Sequence, residues 1–280
     1  MAGLLSGLAG LGLDDLEDVD IYMETEKEKR EKDTAVAKVE EKDLIYDKNF
    51  ECPVCGEIFS AKIMKTGKAK LLGTDQDLRP KYEGIEATKY DVELCPHCGY
   101  AALGRYFTSI GVTQAKMIRE NISKKVHLHS YTGEIYTYEE ALERYKLTLA
   151  NAVVKRAKPS EKAYICLKSA WVLRGYAESL EQEGSADDAR LEELRKQEEE
   201  YLENAYNGFT EARGSEGFPM CGMDEITVDY LLAVLALRFK KYDIASRMVS
   251  AILTSPSANN RTKDKARELK NQILAEIKRK

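Results

Sequence analysis

Two short cysteine motifs decide how this chain can fold: C-P-V-C-G at residues 52–56 and C-P-H-C-G at residues 95–99. Within each motif two residues separate the cysteines, which lets both sulfurs reach one ion from a tight turn. The glycine that follows accepts a positive φ, and neighbouring amide N–H groups can point at the thiolates. The pattern therefore predicts one tetrahedral metal centre with four soft ligands. These ligands are Cys52, Cys55, Cys95 and Cys98.

Zinc is the predicted ion, at one per chain, and iron is the alternative because rubredoxin-type sites use similar motifs. A shell of four thiolates is closed, so we expect the metal to be structural rather than catalytic. It would hold together a module that is too small for a core of its own. A disulfide is not expected, because we place the protein in a compartment that keeps thiols reduced. A thioredoxin-like redox site is not expected either, because it would have one C-x-x-C motif on a βαβ unit rather than two matched motifs.

The 39 residues between Cys55 and Cys95 have the texture of β-hairpins. Short runs of β-type residues occur at 61–64 and 70–72, and glycine and proline interrupt the chain between and after them. This is the arrangement of a zinc ribbon with a long insert. We assign residues 44–112 to such a metal-binding module.

Residues 100–107 and 113–122 look like two short helices, and a longer helical domain is predicted over 113–280. Thr137 with Glu140 forms a capping box for a helix that runs to about residue 158. Pro159 is expected to stop that helix and Ser160 to cap the next one.

Further helices are predicted beyond the break at Gly184. Ser185 with Asp188 forms a second capping box, and three helices follow at about 224–239, 241–253 and 260–279. Residues 225–258 loosely match a tetratricopeptide repeat. The predicted fold class is α+β, mostly α: a small zinc-ribbon-like β module with an insert, followed by antiparallel, tetratricopeptide-like helical hairpins.

Residues 1–43 are interpreted as a flexible charged leader with an apolar N-terminus. Between residues 14 and 43 there are 13 acidic and 6 basic residues and little apolar surface to offset the ordering entropy. The net charge of the whole chain is −5, which points to no nucleic-acid or membrane partner. The sequence shows no secretion signal and no stretch long and apolar enough to span a bilayer. We therefore expect a cytoplasmic protein, whose thiols stay reduced.

The segment from 52 to 122 also carries a set of motifs specific to one family. Besides the two cysteine motifs these are K-T-G-K-A-K-L, T-D-Q-D-L-R-P-K-Y-E-G-I, the run C-P-H-C-G-Y-A-A-L-G-R-Y-F and Q-A-K-M-I-R-E-N-I-S. In these the chain resembles a bacterial family of uncharacterised proteins, the domain of unknown function numbered 2225. The resemblance implies the order of charged leader, cysteine module and helical tail. The family has no established activity, so it implies no mechanism.

A candidate polar site lies in the string T-D-Q-D-L-R-P-K-Y at 74–82. If this segment is extended, Asp75, Asp77 and Arg79 point to one face. One interpretation is a ligand site with tyrosines nearby. The other is an internal salt bridge and turn that dock the insert on the helices.

The remaining cysteines and histidines have weaker signals. Cys221 precedes a predicted helix N-terminus, where a thiol pKa can be lowered, so it is either a reactive thiol or a buried loop cysteine. Cys166 is expected in the core. His97 is expected to face solvent. His127 and His129 alternate along the chain and are either surface residues or part of a second metal site.

The sequence contains no Ser–His–Asp set, phosphate loop or H-E-x-x-H motif. The leading hypothesis is therefore a non-enzymatic adaptor, whose helical hairpins present a groove to a protein or peptide segment. An enzyme that uses Cys221 or the region of Asp75, Asp77 and Arg79 is the weakest alternative, and it requires these residues to converge in one pocket.

The alternative to the adaptor is a nucleic-acid-binding zinc ribbon. It rests on basic residues in the insert and in the segment that follows the second cysteine motif, which would make salt-dependent phosphate contacts. Against it, no aromatic side chains alternate with the lysines to stack on bases. The basic residues are Lys62, Lys65, Lys68, Lys70, Arg105, Lys116, Arg119, Lys124 and Lys125.

Overall fold

Short antiparallel hairpins form the N-terminal part of the structure and helices form the rest. The structure is a computed structural model that describes residues 39–129, 131–184 and 187–279. Most of the predicted leader and Ser185 therefore lie outside the described residues. Residues from Glu40 to Lys280 form one unit, which begins with a 3₁₀ turn at Glu41–Leu44. The fold is α+β and mostly α, which confirms the predicted class.

The described strands form three two-stranded antiparallel sheets. In chain order the strands are β1 Ile45–Glu51, β2 Ile58–Met64, β3 Leu71–Thr74, β4 Pro80–Tyr82, β5 Val92–Leu94 and β6 Ala101–Leu103. Strand β1 pairs with β2, β3 with β4, and β5 with β6. The β1–β2 turn and the β5–β6 turn each contain one cysteine motif, so both pairs of cysteines lie at the tips of hairpins.

The helix predicted over 100–107 is wrong in its first half. Residues 101–103 form strand β6 opposite β5, and only Gly104–Phe107, helix α1, is helical. Alanine and leucine at 101–103 favour a helix, but Gly99 with φ +72° reverses the chain and brings these residues back along β5. Helix α2 follows at Val112–Ile118 and continues into a π-helical turn at Arg119–Ser123.

Six longer helices complete the described chain. They are α3 Tyr138–Val154, α4 Pro159–Glu183, α5 Asp188–Ser215, α6 Glu225–Arg238, α7 Tyr242–Thr254 and α8 Asn260–Lys278. Within the described ranges, none of the helices combines the length and the apolar character that crossing a bilayer requires.

The helix ends follow the sequence signals only in part. Thr137 and Glu140 form the predicted capping box of α3. Pro159 does not stop that helix, which already ends at Val154; it is the first residue of α4, where its missing N–H costs nothing. Asp187 caps α5 by accepting a hydrogen bond from the N–H of Arg190.

Helices α4 and α5 form a long antiparallel hairpin. Near one end, the hydroxyl of Ser160 donates to Glu216, just past the end of α5, and near the other end Arg195 pairs with Glu181. The two helices have 25 and 28 residues, which together exceed the 34 or so residues of a whole tetratricopeptide unit. The pair α6–α7, with 14 and 13 residues, has the length of such a unit, and its likeness to a repeat stays a prediction.

Apolar contacts join the hairpins to the helices. Val92 of β5 and Leu103 of β6 pack in one buried cluster with Tyr145 of α3 and Leu173 of α4. A second buried cluster fills the space between α4 and the four later helices. The hairpin that carries the second cysteine motif is thus fixed on the helical part of the chain by burial of both its strands.

Candidate metal centre

The two cysteine motifs adopt the same backbone turn. In the first, the N–H of Cys52 donates to the carbonyl of Glu57 and the N–H of Gly56 donates to the carbonyl of Cys52. In the second motif, Cys95 bonds the carbonyl of Tyr100, and Gly99 bonds that of Cys95. Both glycines have positive φ, +80° and +72°, as the turn requires. Equal spacing in the sequence therefore produces equal geometry in space.

The structure brings the four predicted sulfurs together. The Sγ atoms of Cys52 and Cys98 are 3.6 Å apart, and so are those of Cys55 and Cys95. All four sulfurs lie within 4.8 Å of one another. A disulfide needs about 2.05 Å, whereas four sulfurs at about 2.3 Å from a tetrahedral zinc ion would stand about 3.8 Å apart. The donor set and its spacing thus fit one tetrahedral thiolate-bound metal ion.

The pKa shifts of these thiols also favour a bound cation. Hydrogen bonds from the thiols of Cys95 and Cys98 lower the pKa of Cys52, and backbone N–H groups of Cys55 and Val54 add to the effect. The thiolate on Cys52 in turn raises the pKa of Cys95 and of Cys98. Without a metal, a thiolate on Cys52 thus opposes ionisation of Cys95 and Cys98. Four thiolates this close need a cation to offset their mutual repulsion.

An aromatic cluster supports the centre. The ring of Phe107 in α1 lies 5.9 Å from that of Phe50, 5.7 Å from that of Phe59 and 5.1 Å from that of Tyr100. The hydroxyl of Tyr100 donates to the carbonyl of Phe107 at 2.9 Å. These residues share one buried cluster with Cys52, Cys95 and Cys98. Both hairpins therefore rest on one small core, and α1 closes it.

Two polar side chains from helices hold the motifs in place, and sequence reasoning missed both roles. The guanidinium of Arg119, in the π-helical turn, donates to the carbonyl of Val54 at 2.8 Å. The amide of Asn151 in α3, which is fully buried, donates to the carbonyl of Gly99 at 3.0 Å. An asparagine in the apolar stripe of a predicted helix was the available signal. For Arg119, nothing in the sequence separated a structural contact from a phosphate contact.

The structure places Asp75, Asp77 and Arg79 in a network of ion pairs. Arg174 of α4 contacts both Asp77 carboxylate oxygens, at 3.0 and 2.6 Å, and one oxygen of Asp75 at 3.1 Å. Arg79 pairs with Glu86 at 2.5 Å. The Arg174 contacts tie the β3–β4 hairpin to α4, and the choice between a ligand site and a docking salt bridge stays a prediction.

The ion-pair network also reaches helices α5 and α6. Arg174 also binds Glu198 of α5 at 2.9 Å, and Glu198 lies 3.2 Å from Arg238 of α6. Burial lowers the pKa of Arg174, but its carboxylate partners outweigh that effect and the net shift is upward. The side chains of Asp77 and Glu198 are each 6% exposed, so their charges depend on these arginines.

Cys221 and Cys166 are buried thiols. Cys221 donates to the carbonyl of Ser160 at 3.2 Å, and burial raises its pKa, opposite to the shift that a reactive thiol needs. Burial also raises the pKa of Cys166, to about 11. His97, His127 and His129 are exposed, and His129 lies 3.0 Å from Glu143. Over the described ranges, the four cysteines are the one group of ligands close enough to hold a metal.

Several basic residues of the nucleic-acid hypothesis have internal partners. Lys62 pairs with Asp47 at 3.1 Å, Lys65 donates to the carbonyl of Asp43 at 2.9 Å, and Arg105 donates to the carbonyl of Cys221. Others are exposed without an ion-pair partner among the described residues. These are Lys68, Lys70, Lys124 and Lys125. Only some of these basic side chains are therefore free to contact phosphates.

Comparison with known proteins adds a family and no activity. The family model described as Uncharacterized protein conserved in bacteria (DUF2225) matches residues 45–273, which include both cysteine motifs and most of the helices. No curated protein matches the chain. No solved structure matches it either.

Proposed function

The chain belongs to the family of uncharacterised bacterial proteins DUF2225, whose description names no activity, so we propose its function from its own residues. We propose that it binds one structural zinc ion through Cys52, Cys55, Cys95 and Cys98, and that it acts as a non-enzymatic adaptor for a protein or peptide. The observation that carries the metal proposal is the 3.6 Å spacing of paired sulfurs from two matched turns. The cytoplasm, where thiols stay reduced, is the proposed compartment.

The metal has a structural role in this proposal because the four cysteines of the two motifs fill a tetrahedral shell and no coordination position stays open. The two hairpins share no strand pairing, so the ion would be the strongest link between their tips. Arg119 and Asn151 hold the same two turns from outside. Removal of the metal should therefore loosen the hairpins and leave the helices folded.

Chelation separates a structural metal from a dispensable one. Treatment of the full chain with a strong chelator should make amides of β1, β2, β5 and β6 exchange hydrogen quickly, while amides of α5 to α8 stay protected. Cys95→Ser should give the same pattern without chelator, and Cys166→Ala, a cysteine outside the motifs, serves as the matched control. Unchanged protection of the strands after complete metal removal would refute the structural role.

The adaptor proposal is supported by a cleft beside the ion-pair network. It has a volume of about 510 Å³ and lies between the β3–β4 turn, α4 and α6. One side is apolar, with Val234 and Leu237, and the other side is charged, with Asp75, Arg174 and Glu178. Such a mixed lining suits a peptide that anchors an apolar side chain and pairs a charge beside it.

A display library of short peptides, screened on the metal-loaded full chain, tests this role. Peptides that bind should compete with one another and lose affinity when Leu237→Arg fills the cleft. Leu274→Arg, a leucine on α8 that is 46% exposed, is the matched control. The adaptor proposal fails if no peptide binds, or if every binder is indifferent to Leu237→Arg.

Iron and nucleic acid are the two alternatives that experiment must separate from this proposal. Four thiolates also bind iron, and one iron per chain would make a redox role the leading hypothesis. Binding of nucleic acid at low salt that weakens steeply as salt rises would favour the second alternative. The internal partners of Lys65, Arg105 and Arg119 make the adaptor the better supported of the two roles.

A further inference from the structure

A second cavity, beside the end of β5, has a charged wall. Its volume is about 460 Å³, which is within the usual range for small-molecule sites. The walls come from β1, β2, the end of β5, residues 128–129 and 131–136, and α3. Its polar side chains are Asp47, Ser60, Lys62, His129, Tyr131, Thr132, Tyr136 and Arg144.

Arg144 is the unusual member of this wall. Its side chain is 3% exposed, and one guanidinium N–H donates to the carbonyl of Val92 at 2.8 Å. The guanidinium stacks over the ring of Tyr136 at 4.3 Å. Nε is buried without a hydrogen-bond partner, and no carboxylate of the described residues lies within 4.0 Å of the guanidinium.

The contacts of Arg144 leave its charge without a paired carboxylate and its buried Nε without an acceptor, although the rings of Tyr131 and Tyr136 lie against the guanidinium. A guanidinium has five N–H donors, and a single one finds an acceptor among the residues that the structure describes. Burial lowers the pKa of Arg144, while Glu93 and Glu140 raise it from a longer distance. Glu93 is a poor counter-charge, since burial raises its own pKa to about 7. Burial of a charge without a partner is costly, and proteins keep it where it binds something.

Neighbouring groups complete a site for a negatively charged group. Lys62 lies on the same cavity and now pairs with Asp47, a side chain that is 63% exposed and free to turn away. The hydroxyl of Tyr136 accepts a hydrogen bond from the N–H of Lys62, so its own proton can be donated to a ligand. Among the described residues of the lining, Asp47 is the one carboxylate, and it would oppose an anion.

We propose that this cavity binds a small organic oxyanion, a carboxylate or a phosphate, with Arg144 as its principal ligand and Lys62 as its second. The planar fork of a guanidinium matches either group with two parallel hydrogen bonds. Leu94, Pro96 and Leu128 supply an apolar wall for the organic part of the ligand. The cavity borders the second cysteine motif through Pro96 but uses none of the four cysteines, and it shares no lining residue with the cleft proposed for peptides.

Calorimetric titration of the metal-loaded full chain with benzoate, phenyl phosphate and inorganic phosphate at low ionic strength tests the site. At least one probe should bind saturably, one per chain. Tighter binding of benzoate or of phenyl phosphate shows whether the site prefers a carboxylate or a phosphate. The affinity for inorganic phosphate shows whether the ligand needs an organic part. Arg144→Met should weaken that binding about tenfold or more, because a charged hydrogen bond is lost from a buried position.

Three further variants keep the proposal refutable if Arg144→Met does not fold. Arg144→Lys keeps the charge but not the fork, and Lys62→Gln removes a charge from a side chain that is 19% exposed. Both should weaken binding severalfold. Lys68→Gln, an exposed lysine outside the cavity, should leave it unchanged. The proposal is overturned if none of the three probes binds saturably, or if Arg144→Lys and Lys62→Gln both bind as tightly as the unaltered chain.

Discussion

The two glycines of the cysteine motifs give a matched pair of substitutions. Gly56 and Gly99 have the same left-handed backbone, with φ of +80° and +72°. A Cβ atom added at Gly56 meets nothing within 4 Å, whereas one added at Gly99 would lie 2.6 Å from Cγ1 of Val126. Alanine at either position costs about 1–2 kcal/mol for the left-handed conformation. Gly99→Ala should cost about 1–3 kcal/mol more, because a β-branched neighbour cannot turn away cheaply.

Denaturant unfolding of the metal-loaded chain measures this difference. Gly56→Ala is the control for backbone strain, and Gly99→Ala should have the lower free energy of unfolding by the stated amount. Val126→Ala removes the clashing methyl group, so in the double variant the extra cost of Gly99→Ala should largely disappear. Equal stabilities of Gly56→Ala and Gly99→Ala, or no recovery with Val126→Ala, would refute the argument.

Two further predictions concern buried charge. Arg174→Met should destabilise the chain by about 3–5 kcal/mol because it leaves the buried carboxylate of Asp77 unpaired. The control Arg195→Met breaks an exposed ion pair and should cost under about 1 kcal/mol. Thermal unfolding of both variants measures the difference. Glu93 has a pKa raised to about 7 by burial, so the folded state binds the proton more tightly than the unfolded state and stability falls as pH rises from about 4.5 to 7. From pH 6 to pH 8 the unaltered chain should lose about 1 kcal/mol relative to Glu93→Gln, and parallel curves for the two proteins would contradict the assigned pKa.

The cysteine motifs show what local chemistry can predict. Two residues between cysteines and a glycine after them determine a turn, because the constraint acts within five residues. The capping box at Thr137 is likewise contained in four residues, and the structure confirms it. In each case the information lies inside the segment that it shapes.

Elements that depend on distant partners could not be predicted in the same way. Strand β6 forms because β5 lies beside it, and no feature of residues 101–103 alone excludes a helix. The partner of Asp77 is Arg174, 97 residues away, so the sequence favoured an internal salt bridge over a ligand site but could not name the partner. The roles of Asn151 and Arg144 depend on neighbours brought close by folding. For such residues the sequence signal to examine first is a polar side chain at a position that the helical pattern predicts to be buried.

The metal content of the full chain, purified under reducing conditions without added metal, tests the central claim most directly. Elemental mass spectrometry should find about one zinc per chain in the unaltered protein and in Cys166→Ala. The double variant Cys52→Ser and Cys95→Ser should contain almost none, because it loses one ligand from each turn. Absence of any metal from carefully reduced, folded protein would contradict the claim that these four thiols form a structural metal centre.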